Sequence, residues 1–158
     1  MYDFDASHPP RLARLLGFAG LIPFVSAALG IWLTPLGWRP FVLSALLDYA
    51  AVILAFMGAI HWGLAMHAGP EDTRTQMQLG LSVIPALVGW VVISVGLPAG
   101  LAVVLFILAF IGLYLADLRS VRLGLAPRWY PALRLPLTFG VVTSLLVAWG
   151  GLMLVQPG

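Results

Sequence analysis

Proline and glycine divide this chain into five apolar stretches, each long enough to cross a bilayer as a helix, and no other feature restricts its fold so tightly. The stretches cover roughly residues 12–33, 41–67, 77–96, 98–117 and 134–155, against the about 20 apolar residues needed to span the hydrocarbon. Lipid offers no hydrogen bonds to a backbone, so each stretch must satisfy its own amides and carbonyls as a helix. Thr34-Pro35-Leu36-Gly37, Gly69-Pro70, Gly96-Leu97-Pro98 and Pro127 with Pro131 form the breaks. Connections this short join only antiparallel neighbours. The expectation is an all-α membrane protein, a five-transmembrane-helix bundle in which residues 1–158 form a single integral membrane domain.

The composition agrees, at 61% hydrophobic and 9% charged residues, where soluble domains carry about 25% charged. The apolar stretches leave no room for a soluble module. There is no cysteine, which excludes disulfides, thiolate nucleophiles and cysteine-ligated metals. The net charge of +2 comes from the connections and implies no nucleic-acid partner. A secretory leader ending near Val25-Ser26-Ala27 is outweighed because the apolar run continues through Trp32 to spanning length.

Every basic residue is an arginine, and their distribution predicts direction. Arg11, Arg14, Arg74, Arg119, Arg122, Arg128 and Arg134 fall on one side and Arg39 alone on the other, seven against one. Short arginine-rich loops stay cytoplasmic. The amino terminus is therefore expected inside and the carboxyl terminus outside.

Asp48 is the one acid well inside a predicted span, about seven residues or roughly 10 Å from the outer end of the second helix. A carboxyl group at that depth is a candidate functional group. Ala51, Ala55, Ala59 and Trp62 share its side, a run of small residues that favours close helix packing. Asp48 is expected to bond a neighbouring helix, with Ser94, Thr143 and Ser144 at compatible depth. The sharper alternative is a proton-binding site on a transport path.

His61 follows thirteen residues later, about 140° around the helix, so it forms no dyad with Asp48. Its predicted place is the inner interface beside Trp62, where amphipathic rings are favoured, and His67 is expected to be wet. His61 and His67 diverge by about 120°, and no second span carries a histidine, so no haem, metal or other cofactor is expected. Pro23 and Pro85 should kink the first and third spans, and Pro136 is expected in the tolerant first turn of the fifth.

The segment 117–134 gathers Asp117, Arg119, Arg122, Arg128, Trp129, Tyr130 and Arg134. It is predicted as an inner loop with an aromatic anchor, in which Asp117 pairs with Arg119, Arg122 or Arg134. Its functional candidacy is as a docking surface for anionic lipid or a membrane-protein partner.

With LGFAGLIPF at 16–24, HWG at 61–63 and DLRSVRLGLAPRWYPALRLPLT at 117–138, the chain resembles the family of small membrane proteins called domain of unknown function 3429. The third motif is the most specific, because hydropathy does not dictate its charged and aromatic residues. The resemblance implies a multi-pass, five-helix protein of the bacterial inner (cytoplasmic) membrane and no known activity.

The functional reading that follows is a non-catalytic assembly factor or accessory subunit of a membrane complex. It fits the small size, the small packing residues and the arginine-rich segment. A small transporter or channel using Asp48 is the alternative, although five spans do not divide into two equal repeats. A membrane enzyme with an inner-face site near His61, Asp117 and Arg134 is third.

Overall fold

A computed structural model of the chain describes residues 8–66 and 73–154. Its helices are α1 (Arg11–Ala19), α2 (Ile22–Leu33), α3 (Arg39–Ala65), α4 (Thr73–Ser94), α5 (Ala99–Arg122) and α6 (Tyr130–Met153), with a short 3₁₀ turn at Leu36–Trp38. Taken with that turn and with α1 and α2 as one crossing, five helical segments are long and apolar enough to span a membrane. The Gly69-Pro70 turn and His67 lie outside the described residues.

The helices close into a ring in the order α4, α3, α2, α6, α5 and back to α4, with α3 also touching α5 across the middle. The apolar core fills this ring. Phe24 of α2 meets the Phe110 ring edge-on at 6.1 Å and the Tyr49 ring at 5.1 Å. Around them lie Leu46, Leu54, Val103, Phe106 and Leu145, all at most 1% exposed.

The interruption expected near Pro23 is present, and α4 runs as one helix through Pro85. The first crossing is broken at Gly20-Leu21, and Pro23 lies in the first turn of α2, where its missing amide has no intrahelical partner to lose. The Tyr49 hydroxyl donates to the Gly20 carbonyl at 3.0 Å, satisfying an acceptor at the break. Pro85 lies inside α4 and faces Gly58 of α3. A Cβ on Gly58 would fall 3.0 Å from Pro85 Cγ and 2.6 Å from the Ser82 carbonyl oxygen. Gly58 therefore sets how closely α3 and α4 approach.

The other proline corrects an expectation. Because α6 begins at Tyr130 rather than near 134, Pro136 lies inside the helix, not in its first turn. The helices also reach further toward the arginine-rich end than hydropathy suggested. Much of the supposed 117–134 loop is helical, and the irregular connection runs only from Leu123 to Trp129. Gly124, at φ +73°, ends α5. Its amide bonds the Val121 carbonyl and that of Leu125 bonds the Ser120 carbonyl, the paired closure that a left-handed glycine permits.

Candidate functional site

The added helical turns carry polar side chains into the bundle. On α3 the buried positions are Leu43, Leu46, Ala50, Leu54, Gly58, His61 and Ala65, a spacing of three and four residues that defines one face. His61 shares that face and is 0% exposed. This corrects its expected place at the interface. Its neighbour Trp62 points outward and is 49% exposed.

Asp117 of α5 and Arg134 of α6 complete the site. His61 Nε2 lies 2.9 Å from Asp117 Oδ1, and Arg134 Nε donates to Asp117 Oδ2 at 2.6 Å. Of the three arginines considered for Asp117, the structure selects Arg134, which is 3% exposed. The histidine contact is close in distance but not aligned as a hydrogen bond. Arg134 Nη1 donates to the Met57 sulfur, while Nη2 has no partner among the described residues. Three helices are thus tied at one point by a carboxyl group that is fully enclosed.

A burial this complete is expensive. Several kcal/mol per ion are lost on leaving water, and attraction between the partners returns this only with good geometry. Such a group inside a membrane protein is a functional candidate by default. More polar side chains gather at the same end, including Thr75, Gln78 and Ser82 on α4, Ser120 on α5, and Tyr130 and Thr138 on α6, each less than 9% exposed. Sequence reasoning passed over all of these except Tyr130. Their spacing was a usable signal, since 75, 78, 82 and 130, 134, 138 each keep helical phase along one face.

Beside Arg134 opens a cavity of about 440 Å³ between α1, α2, α3 and α6, walled by residues such as Leu16, Phe24, Ile53 and Leu137. Its polar lining comes from Arg134, Tyr130 and Thr138. The Tyr130 hydroxyl, the Thr138 hydroxyl and Arg134 Nη2 are all buried without a hydrogen-bond partner among the described residues. On the other side of the carboxyl group, His61 lines a smaller cavity of about 210 Å³ with Leu54, Pro85 and Leu113.

Of the remaining predicted residues, Trp129 joins the wall of the cavity beside Arg134, and the others stay apart from this centre. Arg119, Arg122 and Arg128 are exposed, and Trp129 leans edge-on against Tyr130 at 6.0 Å. Asp48 is also exposed, on the outside of α3, and among the described residues its hydrogen bond is to the Ser44 hydroxyl at 3.5 Å. The expectation that it bonds a neighbouring helix fails. Ala51 makes the contact with α4, against Gly89, and Asp48 lies about 60° around the helix from that line. Ser94 and Thr143 are exposed too, and Ser144 donates to the Gly140 carbonyl of its own helix.

The family model described as "Protein of unknown function (DUF3429)" matches residues 9–150, a span that contains the whole of this polar centre. The chain belongs to the DUF3429 family. Similar curated proteins are Transmembrane protein 69 of Xenopus tropicalis, 38% identical over 92% of this chain and 56% of the relative, and Transmembrane protein 69 of Mus musculus, 29% identical over 87% and 55%. The chain therefore spans about half the length of the curated relatives it matches. No solved structure matches it. The DUF3429 assignment and the five spanning segments together make this a multi-pass helical membrane protein.

Proposed function

We propose that this protein binds a lipid-soluble molecule with an apolar body and an uncharged hydrogen-bond-accepting head, such as a carbonyl group. One observation carries the reading. Three buried donors, Arg134 Nη2 and the hydroxyls of Tyr130 and Thr138, lack partners among the described residues, and all three belong to side chains in the wall of an otherwise apolar cavity of about 440 Å³. Ligand sites are commonly apolar cavities of about 300–1,000 Å³ with a few convergent polar groups. Donors left unpaired in such a place cost roughly 1–3 kcal/mol each, and an acceptor on a ligand removes that cost. The Arg134 guanidinium is already balanced by Asp117, so a neutral acceptor suits the site better than a second anion.

Asp117 and His61 are positioning groups in this account. They hold the guanidinium against α5 and α3, at the wall of the cavity. The test is to purify the protein in mild detergent, extract bound small molecules with organic solvent and identify them by mass spectrometry. A carbonyl-bearing amphiphile should accompany the wild-type chain near one to one and fall at least about tenfold in Tyr130→Phe with Thr138→Val. Equal recovery from that double variant would overturn the proposal.

Action as an accessory subunit of a membrane complex is a second reading, favoured by Asp48. A carboxyl group facing hydrocarbon costs about 2.5–3.5 kcal/mol on insertion scales, and a partner helix with a donor at that depth would remove the cost. In both readings the arginine-rich end faces the cytoplasm, in a bacterial inner membrane. The arginine distribution supports that orientation.

A further inference from the structure

A second groove lies between α4 and α5 at the arginine-rich end, on the far side of α5 from the cavity beside Arg134. It has a volume of about 710 Å³. Its upper walls are apolar, formed by Leu81, Ile84 and Leu115, whereas its lower end presents Gln78, Ser120 and Arg119 among Met77, Leu123 and Leu125. Gln78 is 2% exposed, yet neither its amide nitrogen nor its carbonyl oxygen has a hydrogen-bond partner among the described residues. Ser120 is 6% exposed, and Arg119, in the last turn of α5, is exposed.

A buried primary amide with both ends unpaired is uncommon, because such groups in native proteins nearly always find partners. The groove supplies the place for one. Gln78 lies five residues into α4, roughly 8 Å along the helix axis, so the polar end of the groove is near the arginine-rich end of the span and the apolar end runs toward its middle. That polarity matches a membrane lipid standing upright.

We infer that the α4–α5 groove holds one phospholipid, with its phosphate at Arg119, Gln78 and Ser120 and an acyl chain along Leu81, Ile84 and Leu115. The inference is independent of the ligand proposed for the cavity beside Arg134. One guanidinium matches the single charge of a phosphodiester. The Gln78 amide N–H and the Ser120 hydroxyl donate to phosphate oxygens. The Gln78 carbonyl oxygen then requires a donor, which ethanolamine and glycerol headgroups possess and choline does not. The site therefore selects ethanolamine or glycerol phospholipids over choline phospholipids.

The experiment is native mass spectrometry of the full chain released from bilayer discs that contain phosphatidylglycerol, phosphatidylethanolamine or phosphatidylcholine. One phosphatidylglycerol or phosphatidylethanolamine should survive activation at which phosphatidylcholine retention is about tenfold lower. Gln78→Leu with Arg119→Gln should abolish that selectivity. Arg119→Gln alone, at an exposed position that does not threaten folding, should reduce retention about fivefold, and Arg119→Lys should restore most of it. Equal retention of choline lipid by the wild type, or unchanged retention in Arg119→Gln, would overturn the inference. Complete displacement of the lipid by soluble glycerol phosphate would overturn the lipid assignment in favour of a free phosphate.

Discussion

The enclosed Asp117 makes a prediction that separates its structural role from its functional one. Asp117→Leu removes the partner of Arg134 Nε, which lies at 2.6 Å, and leaves a guanidinium that is 3% exposed with no counter-charge. Breaking a buried pair in this way costs about 3–5 kcal/mol, a large part of a total stability on the order of 5–15 kcal/mol. His61→Leu leaves the Arg134–Asp117 bond in place and removes only a contact that is not aligned as a hydrogen bond. Its cost should be near 0.6 kcal/mol, the average for polar contacts within membranes. The triple variant His61→Leu, Asp117→Leu, Arg134→Met strands no charge. It should return to within about 1–2 kcal/mol of the wild type, since well-packed apolar replacement of a buried ion pair is often close to neutral. The assay is reversible unfolding in mixed micelles of increasing denaturing detergent, read by the fluorescence of the chain's six tryptophans. A triple variant as unstable as Asp117→Leu alone would refute the reasoning, because the loss would then come from packing and not from an orphaned charge. The same triple variant, although folded, should fail to retain the ligand.

Four further outcomes follow from named contacts. Gly58→Ala should destabilise the bundle by about 1–3 kcal/mol, the usual cost of overpacking, because the new Cβ would lie 2.6 Å from the Ser82 carbonyl oxygen; the same unfolding assay reads it. Tyr49→Phe should cost about 1 kcal/mol by orphaning the Gly20 carbonyl at the break between α1 and α2, and it should speed amide hydrogen exchange around Leu21–Val25. Asp48→Leu should improve insertion of the isolated α3 segment by about 2.5–3.5 kcal/mol in a translocon assay, whereas a neighbouring-helix bond in the folded chain would show as a loss of stability instead. Reporter fusions near Arg122 and Arg128 should report the cytoplasmic side, and an external signal from either would contradict the orientation argued from arginine distribution.

The spans were legible because lipid requires long apolar runs and because proline and glycine mark their ends. Pro23 also announced the break in the first crossing, whereas the close meeting of α3 with α4 at Gly58 and Pro85 was not anticipated. Rotation was the harder matter. The sequence placed Asp48 and His61 about 140° apart on one helix, which holds, yet the buried side proved to be that of His61. Hydropathy cannot choose between faces when both are apolar, as with Leu46 and Leu54 on one and Val52 and Phe56 on the other. In a membrane, the outward face is as greasy as the core.

The polar centre was half visible. His61, Asp117 and Arg134 stood together as one candidate constellation, but at the inner face, whereas the bundle encloses all three. Thr75, Gln78 and Ser82 keep the same helical phase as a buried stripe, and so do Tyr130, Arg134 and Thr138. Phase among polar residues near a helix end was the signal to follow. The cavity itself was beyond reach, since it depends on how α1, α2, α3 and α6 leave space around Leu16, Phe24 and Ile53.

Photolabelling tests the central claim most directly, using an alkyl chain that carries a benzophenone as both its hydrogen-bond-accepting head and its reactive group. In reconstituted wild-type protein the label should concentrate on peptides of α1, α2, α3 and α6 that line the cavity, with Met57 beside Arg134 a principal site. Unlabelled carbonyl-bearing amphiphile should compete it away, and Tyr130→Phe with Thr138→Val should reduce it at least about tenfold. Labelling spread evenly over the lipid-facing surfaces of all helices, uncompeted and unchanged in that variant, would contradict a ligand site at Arg134.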